Sequence, residues 1–569
     1  MLEPQLRNRV ADKTRSLLTL ACYHRSISTA TKAPRAQTGA MRTGLFGPIL
    51  GLTLVATALT GCTSLPKPSP EWNVRYPVDT QNTTWARTVA PAAAEHPGAS
   101  EIQLLPFGLD ALSARLALAD TAERTLDVQY YIWTPDATGQ LLTDRLLCAA
   151  DRGVRVRLLL DDFGGSASDE VLLALDSHTN VEVRLFNPVA NRTFRRLSTL
   201  FEFQRINRRM HNKSFTADGL VTILGGRNVG ARYYAAGDEP HFADFDVMAA
   251  GPAAAEVSEM FERYWFSSLS IPIHALTKNR LSPEQVSQRY AGLAARVQAI
   301  TNTPDFQGLA GNEVGEEIRQ HELDATWGKT RLVCDQPEKI TTDLTNTATH
   351  LLPQLRHVLD GTTREVFIVS PYFVPGPTGV ELFRSLRARG IRVVVLSNSL
   401  AATDVVAVHA GYRRYRKALL RAGVELWEIK PNARLRATAL EDRTTRRRNA
   451  KSPRSSLHAK SFIFDRQTLF VGSLNVDPRS TVLNTEMGLV IEIPDVAGPV
   501  ADSLEARLKE AAYRLEFVPG PGPCKECGSI VWIGQENGRE VRYTHEPHAS
   551  LYRRLVVNLL SLLPIESQL

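Results

Sequence analysis

Residues 152–162 read RGVRVRLLLDD, and residues 389–399 read RGIRVVVLSNS. An Arg-Gly turn running into a strand that ends in consecutive apolar residues, Leu158-Leu159-Leu160 and Val393-Val394-Val395-Leu396, marks a strand buried on both faces, since a half-exposed strand would alternate apolar with polar throughout. Arg389 follows Arg152 by 237 residues, so the pair points to an internal duplication. Working outward, the first copy is preceded by LDVQYYIW at 126–133 and the second by VFIVSPYFV at 366–374. Between these strands lie helix-forming runs, from about Gly139 to Ala150 and from Gly379 onward. Downstream come VEVRLF at 181–186 and VELWEI at 424–429, now 243 residues apart. A slowly growing offset is what small loop insertions leave in a duplicated chain. Strand, helix and strand in alternation predict an α/β fold whose sheets carry helices on both faces.

The 569 residues exceed what one hydrophobic core organises. Two halves are expected, at 101–275 and 346–515, with a helical linker at 276–345 and an extension at 516–569. In the linker, Ser282-Pro283-Glu284-Gln285 has the order of a capping box with Pro at the first helical position, predicting a helix to about Ile300. The extension ends in LYRRLVVNLLSLL at 551–563, a basic helix with an apolar face. It either packs on the body or lies on a membrane surface.

Each half carries one polar motif. HNKSFTAD at 211–218 is followed by GGRN at 225–228, and HAKSFIFD at 458–465 by GSLN at 472–475. Both read H-x-K-x-x-x-x-D, and in both an Asn stands 17 residues after the His, at 228 and 475. Residues two apart on an extended chain share a side, so His211 pairs with Lys213 and His458 with Lys460. Two such pairs suit a phosphodiester. A neutral imidazole attacks phosphorus, an imidazolium protonates the departing oxygen, and two lysines offset the developing charge. Asn228 and Asn475 can donate to the phosphoryl oxygens. The scheme expects no metal and no cofactor. A nucleophilic imidazole also needs an acceptor on its other nitrogen to hold its tautomer. Glu486 follows the second Asn, and Asp246, in Asp244-Phe245-Asp246, follows the first. Asp218 and Asp465 end their motifs, where a structural hydrogen bond and a catalytic role both remain open. His409 reads by default as a packed or surface histidine.

The net charge of +7 would normally suggest a nucleic-acid partner. Residues 1–61, however, hold eight basic and two acidic residues, and subtracting these from 67 and 60 leaves 59 and 58. Bulk attraction to nucleic acid is therefore not expected. Met41-Arg42, the apolar stretch 45–59 and Leu59-Thr60-Gly61-Cys62 resemble a bacterial lipoprotein signal. The apolar stretch is short for a membrane span. Residues 41–61 are thus expected to be a signal peptide, Cys62 the lipidated residue, and 62–100 a linker. Residues 1–40 read as an upstream start-site extension, with a transit peptide as the other reading. The expected location is a membrane, lipid-anchored and facing the periplasm, with the inner or outer membrane left open. Cys524 and Cys527 lack the further ligands a zinc site needs, leaving a local disulfide or two free thiols. The basic clusters at 192–209 and 434–454 read either as solvated loops or as headgroup contacts at a cleft mouth.

The paired motif resembles the phospholipase D superfamily over nearly the whole mature chain. LDVQYYIW, RGVRVRLLLDD, GGRN, AATDVVAVHAGY around His409 and the terminal LLPIESQL are similar to its bacterial cardiolipin synthase C group. The resemblance implies two repeats, each a mainly β-sheet core flanked by helices, related by pseudo-twofold symmetry about one active site. It implies a phosphatidyl-histidine intermediate with His211 as nucleophile and His458 as acid and then base, although symmetry leaves the reverse open. The partners implied are phospholipid substrates and a membrane surface, with an accessory protein as a further candidate. The expected activity is a phosphatidyltransferase making cardiolipin from phosphatidylglycerol and a second phospholipid. A phospholipase D hydrolase and an exported phosphodiesterase or nuclease are the alternatives.

Overall fold

The computed structural model describes residues 65–75, 78–163, 167–193, 195, 202–236, 241–323, 325–431, 433, 456–520 and 527–569. The expected signal segment, Cys62, Cys524 and the arginine-rich stretch 434–454 lie outside these residues. Among the described cysteines, Cys148 and Cys334 are buried, and Cys527 is disulfide-bonded.

Eighteen strands form one hydrogen-bonded run. The first half orders Ser270–Pro272, Val181–Phe186, Arg155–Asp161, Thr125–Tyr130, Ser214–Ala217, Val221–Gly225, Asp246–Ala250 and Ser100–Leu105. The antiparallel pairing of Ser100–Leu105 with Thr326–Cys334 then carries the sheet into the second half. There the order is Met487–Glu492, Thr468–Gly472, Ser461–Phe464, Glu365–Val369, Arg392–Asn398 and Glu425–Ile429. Both halves thus hold the same core, three parallel strands continued by three antiparallel ones. The strands Ala512–Pro519, Gly528–Glu536 and Arg539–Tyr543 extend the second half's edge, so the anticipated boundary at 515 falls inside a strand.

The duplicated stretches behave as their composition requires. On Arg155–Asp161, Val156, Leu158 and Leu160 enter one core while Leu159 enters another; on Arg392–Asn398, Val393 and Val395 part in the same way from Val394 and Leu396. This is the period-two alternation of a strand buried on both sides. Each half's outer face is covered by helices, Ala137–Asp151 in the first and Gly376–Ala388 in the second. The inner faces differ from expectation. They share one core, in which Leu159 and Val247 of the first half lie with Val394, Ile463 and Leu489 of the second. The helices Pro252–Trp265 and Pro494–Ala511 contribute to it, but the other half-sheet supplies much of the cover. In the linker, Pro283–Thr301 forms with its capping box complete, and the same 276–345 segment also holds the Thr326–Cys334 strand that joins the halves.

Candidate active site

Each motif histidine is delivered to the seam by backbone pairing with the opposite half. His211 N–H donates to the Thr485 carbonyl (2.9 Å) and Thr485 N–H to the Arg209 carbonyl (2.9 Å), a bridge between Met210 and Thr485. Reciprocally, Ser456–Leu457 pairs in parallel with Phe242–Ala243, and His458 N–H donates to the Ala243 carbonyl (2.7 Å).

The residue after each pairing partner is an acid. His211 Nδ1 lies 2.8 Å from Glu486 Oε2, and His458 Nδ1 lies 2.5 Å from Asp244 Oδ2. The carboxylates thus cross over, each half supplying one imidazole and the acid that orients the other. With Nδ1–H facing a carboxylate, each Nε2 is left for chemistry. Both imidazoles are nearly buried, at 8% and 5% exposure, while Lys213, Lys460, Glu486 and the Asp244 carboxylate are fully enclosed. Tyr131 meets the His211 ring edge-on at 5.0 Å, and Tyr233 meets His458 at 5.1 Å. The Lys460 ammonium lies 2.9 Å from His458 Nδ1 and 3.1 Å from Nε2.

The expected acceptor Asp246 is not at the imidazoles. Its carboxylate is paired with Arg115 (2.7 Å) and Arg227 (3.4 Å), and Asp244 takes the orienting position. The physical reason is register. Gly225 pairs with Asp246 as Gly472 pairs with Gly488, so Asp246 corresponds to Gly488 and Asp244, two residues earlier, to Glu486. Aligning FDVM at 245–248 with MGLV at 487–490 was the signal that could have found it.

Asp218 and Asp465 hold turns. At positive φ (54° and 52°), Asp218 accepts the N–H groups of Glu123, Arg124 and Thr125, and Asp465 those of Thr363, Arg364 and Glu365. Each carboxylate therefore launches the strand beside its motif, and among the described residues neither is hydrogen-bonded to an imidazole. Asn228 accepts from Ile132 N–H (3.2 Å) and donates to the Tyr233 hydroxyl (3.0 Å). Asn475 donates to Ser480 (3.4 Å), and its Oδ1 is buried without a partner among the described residues. In the basic cluster at 192–209, Arg192 and Arg195 pair with Asp162, and Arg209 with Asp161, so these cations are balanced internally. His409 is a packed histidine, buried against Arg416 and Glu546.

The electrostatics follow from burying two lysines and two imidazoles beside two acids. Burial, reinforced by Lys213, Lys460 and His458, holds His211 well below an ordinary imidazole. His458 is lowered by burial and Lys460, with Asp244 opposing. Burial brings Lys213 down to about 7 and Lys460 to about 8. The acids diverge. Burial would raise Asp244, but His458 and Lys460 pull it well below the carboxylate range, whereas burial lifts Glu486 to about 7 against Lys213. The result is a buried cleft with a proton-poor imidazole on one side and one backed by a firm negative charge on the other.

Comparison with known proteins meets this geometry. The family model described as "Cardiolipin synthase, PLD-like domain" matches residues 116–265 and 355–508, one copy on each half. The chain belongs to this phospholipase D-like family. It is similar to cardiolipin synthase C of Escherichia coli (strain K12), 42% identical over 484 residues, 84% of this chain and 98% of that protein. It is also similar to cardiolipin synthase A of Pseudomonas aeruginosa (strain PAO1), 27% identical over 423 residues, 74% of this chain and 69% of the relative. Among solved structures, phosphatidylserine synthase of Haemophilus influenzae Rd KW20 covers 85% of this chain and matches over its own full length, with a TM-score of 0.51 at 10% identity. At that identity the likeness speaks for the bilobed fold alone.

Proposed function

We propose that this phospholipase D-type phosphatidyltransferase makes cardiolipin, with phosphatidylglycerol supplying the acceptor hydroxyl. The observation that carries the reading is the crossed pair His211–Glu486 and His458–Asp244, set with Lys213 and Lys460 in one buried cleft. His211 Nε2 attacks the phosphorus of a donor phospholipid, forming a P–N bond as the bond to the headgroup oxygen breaks. His458, protonated and backed by the ionised Asp244, gives its Nε2 proton to that oxygen, and the headgroup leaves as a neutral alcohol. In the second step His458 takes the proton from the glycerol hydroxyl of phosphatidylglycerol, whose oxygen attacks phosphorus, and His211 is released. Lys213 and Lys460 offset the charge on the phosphoryl oxygens in both steps.

Similarity to cardiolipin synthases supports a lipid acceptor over water, and the near-neutral chain beyond residue 61 supports lipid over nucleic acid. The test is product analysis by mass spectrometry after expression in a strain lacking other cardiolipin synthases, with candidate accessory proteins co-expressed. Cardiolipin is expected; phosphatidic acid alone would leave a hydrolase. The proposed location is the periplasmic face of a membrane, anchored through an acylated Cys62. Incorporation of labelled fatty acid, lost in Cys62→Ala, tests it.

A further inference from the structure

The Leu551–Leu560 helix packs on the Val406–Arg421 helix through the fully buried Val557, yet most of its apolar surface faces outward. Leu551, Tyr552, Leu555 and Leu559 are 76%, 75%, 68% and 65% exposed, and Leu562, just beyond the helix end, is 82% exposed. At 3.6 residues per turn the four helical side chains fall within about a third of the circumference. A continuous exposed apolar stripe of this kind marks an interaction surface, whereas leucines scattered singly do not.

Its position is set by the chain's end. Gln568 Oε1 accepts from Asn207 (2.6 Å), four residues before His211. The carbonyls of Gln568 and Leu569 accept from Arg479 at 3.0 Å and 2.7 Å, four residues after Asn475. Leu569 packs on Gly411, where an added Cβ would meet it at 2.7 Å. At the other end, Arg553 donates to the Leu400 and Thr403 carbonyls (2.8 and 2.9 Å), in the loop whose Asp404 acts on both His458 and Lys460. The helix and tail therefore clamp across the seam at the site. Further exposed apolar side chains stand on neighbouring loops: Phe163, under the Arg209 guanidinium; Phe203, at the start of the turn leading to Asn207; and Val405, beside Asp404.

We propose that the outer face of the Leu551–Leu560 helix and its tail inserts into the surface of an anionic bilayer and sets the mouth of the catalytic cleft against it. Charge complementarity selects lipid over a protein partner. The helix carries Arg553 and Arg554 and no acid, both guanidinium groups held by neutral carbonyls that leave their charge uncancelled; the tail's one acid, Glu566, is paired with Arg414, and Arg413, on the helix beneath, reaches up to Asn558. Basic residues flanking an apolar stripe are the composition of an interfacial helix, drawn to anionic headgroups while the stripe enters the acyl boundary. The inference rests on the lipid reading of the site and adds which face meets the lipid. A substrate lifted a short way from the bilayer then reaches His211 without crossing water.

The test places an environment-sensitive fluorophore on Leu559→Cys in the full chain, bound to vesicles of phosphatidylglycerol and phosphatidylethanolamine. With Cys22 and Cys62 replaced by serine, the remaining Cys148 and Cys334 are buried and Cys527 is disulfide-bonded, so the new thiol labels selectively. Glu540→Cys, exposed on the far edge strand, is the reference in water. Emission at 559 should move to the blue on vesicles and be quenched by lipid-borne nitroxide, while 540 stays unchanged. Water-like emission at 559 on vesicle-bound protein overturns the proposal. So does a blue shift that follows protein concentration without lipid, which would make the stripe a contact between copies. In a second arm, Leu555→Ser with Leu559→Ser should reduce turnover on vesicles about tenfold more than on short-chain dispersed phosphatidylglycerol. Equal loss on both contradicts docking. Fluorescence decides the docking even if the product proves to be phosphatidic acid, so the two readings fail separately.

Discussion

Asp244→Asn isolates the crossed carboxylate. The substitution keeps the shape of the side chain and an oxygen that can accept from His458 Nδ1–H, but removes the charge 2.5 Å away that stabilises the imidazolium. Hydrogen bonds to ionised partners contribute about 1.5–3 kcal/mol, and about 1.4 kcal/mol is a factor of ten, so this contact alone accounts for roughly ten- to a hundredfold. Misplacing the proton would further forfeit general acid catalysis, itself about 10²–10⁴. Turnover on phosphatidylglycerol should therefore fall by about 10² or more. A lipid with a p-nitrophenol headgroup leaves without protonation, so the burst of p-nitrophenolate should largely survive in Asp244→Asn and be lost in Glu486→Gln, which disturbs the nucleophile. Asp246→Asn should show the opposite pattern. It uncouples the buried Arg115 and Arg227, a breakage worth about 3–5 kcal/mol of stability, and acts on melting before it acts on chemistry. Gly226→Ala is an independent check, since its Cβ would stand 2.1 Å from Asp244 Oδ1 and displace the carboxylate without discharging it. Near-parental turnover in Asp244→Asn, or an equal loss of the p-nitrophenolate burst in the two acid variants, would refute the assignment.

His211→Ala and His458→Ala should each lower turnover by about 10² or more, and brief incubation with labelled lipid should trap the adduct on His211; an adduct on His458 reverses the roles. Activity should persist in excess chelator because charge neutralisation is assigned to Lys213 and Lys460, and loss restored by a divalent ion would contradict that. With those lysines lowered to about 7 and 8, deprotonation removes the cations as pH rises, so kcat/KM should decline through pH 7–8. The bound phosphate raises both lysines, so the alkaline limb of kcat should lie at higher pH than that of kcat/KM, and coincident limbs would count against their contact with phosphate.

The parts of this molecule legible in sequence are those determined by neighbours along the chain. Val156 to Leu160 and Val393 to Leu396 form strands because their apolar runs admit little else, and Ser282 with Gln285 completes the anticipated cap. What escaped is tertiary. A strand with two apolar faces demands cover on both, but whether a helix or another sheet provides it depends on the partner half. Glu486 was recognisable as an orienting acid, yet nothing local says it serves His211 rather than the histidine of its own half. Asp244 and Asp246 have the same parity and are equivalent in sequence until the register at Gly225 is known. Asp218 and Asp465 stand in the motif as though catalytic. Their left-handed turns, which gather three N–H groups each, show a different demand for the same carboxylate.

The symmetry of the scaffold raises the question of why the reaction has a direction, and the two acids supply an answer. Asp244 is short, so its carboxylate lies close to the backbone of the turn opposite, where only Gly226 leaves room. Glu486 is one methylene longer and leaves space in the equivalent turn for Ser473, whose hydroxyl donates to it. The Asp–Gly side keeps its carboxylate next to His458 and Lys460 and firmly ionised, while the Glu–Ser side holds an acid that burial lifts to about 7. An imidazole facing a full negative charge keeps a proton more readily than one facing a half-neutralised acid amid cations. Both imidazoles are lowered, but His458 less than His211, so His458 is the better proton carrier and His211 the better lone-pair donor, and a one-carbon difference between the duplicated halves turns a twofold site into one with an acid and a nucleophile.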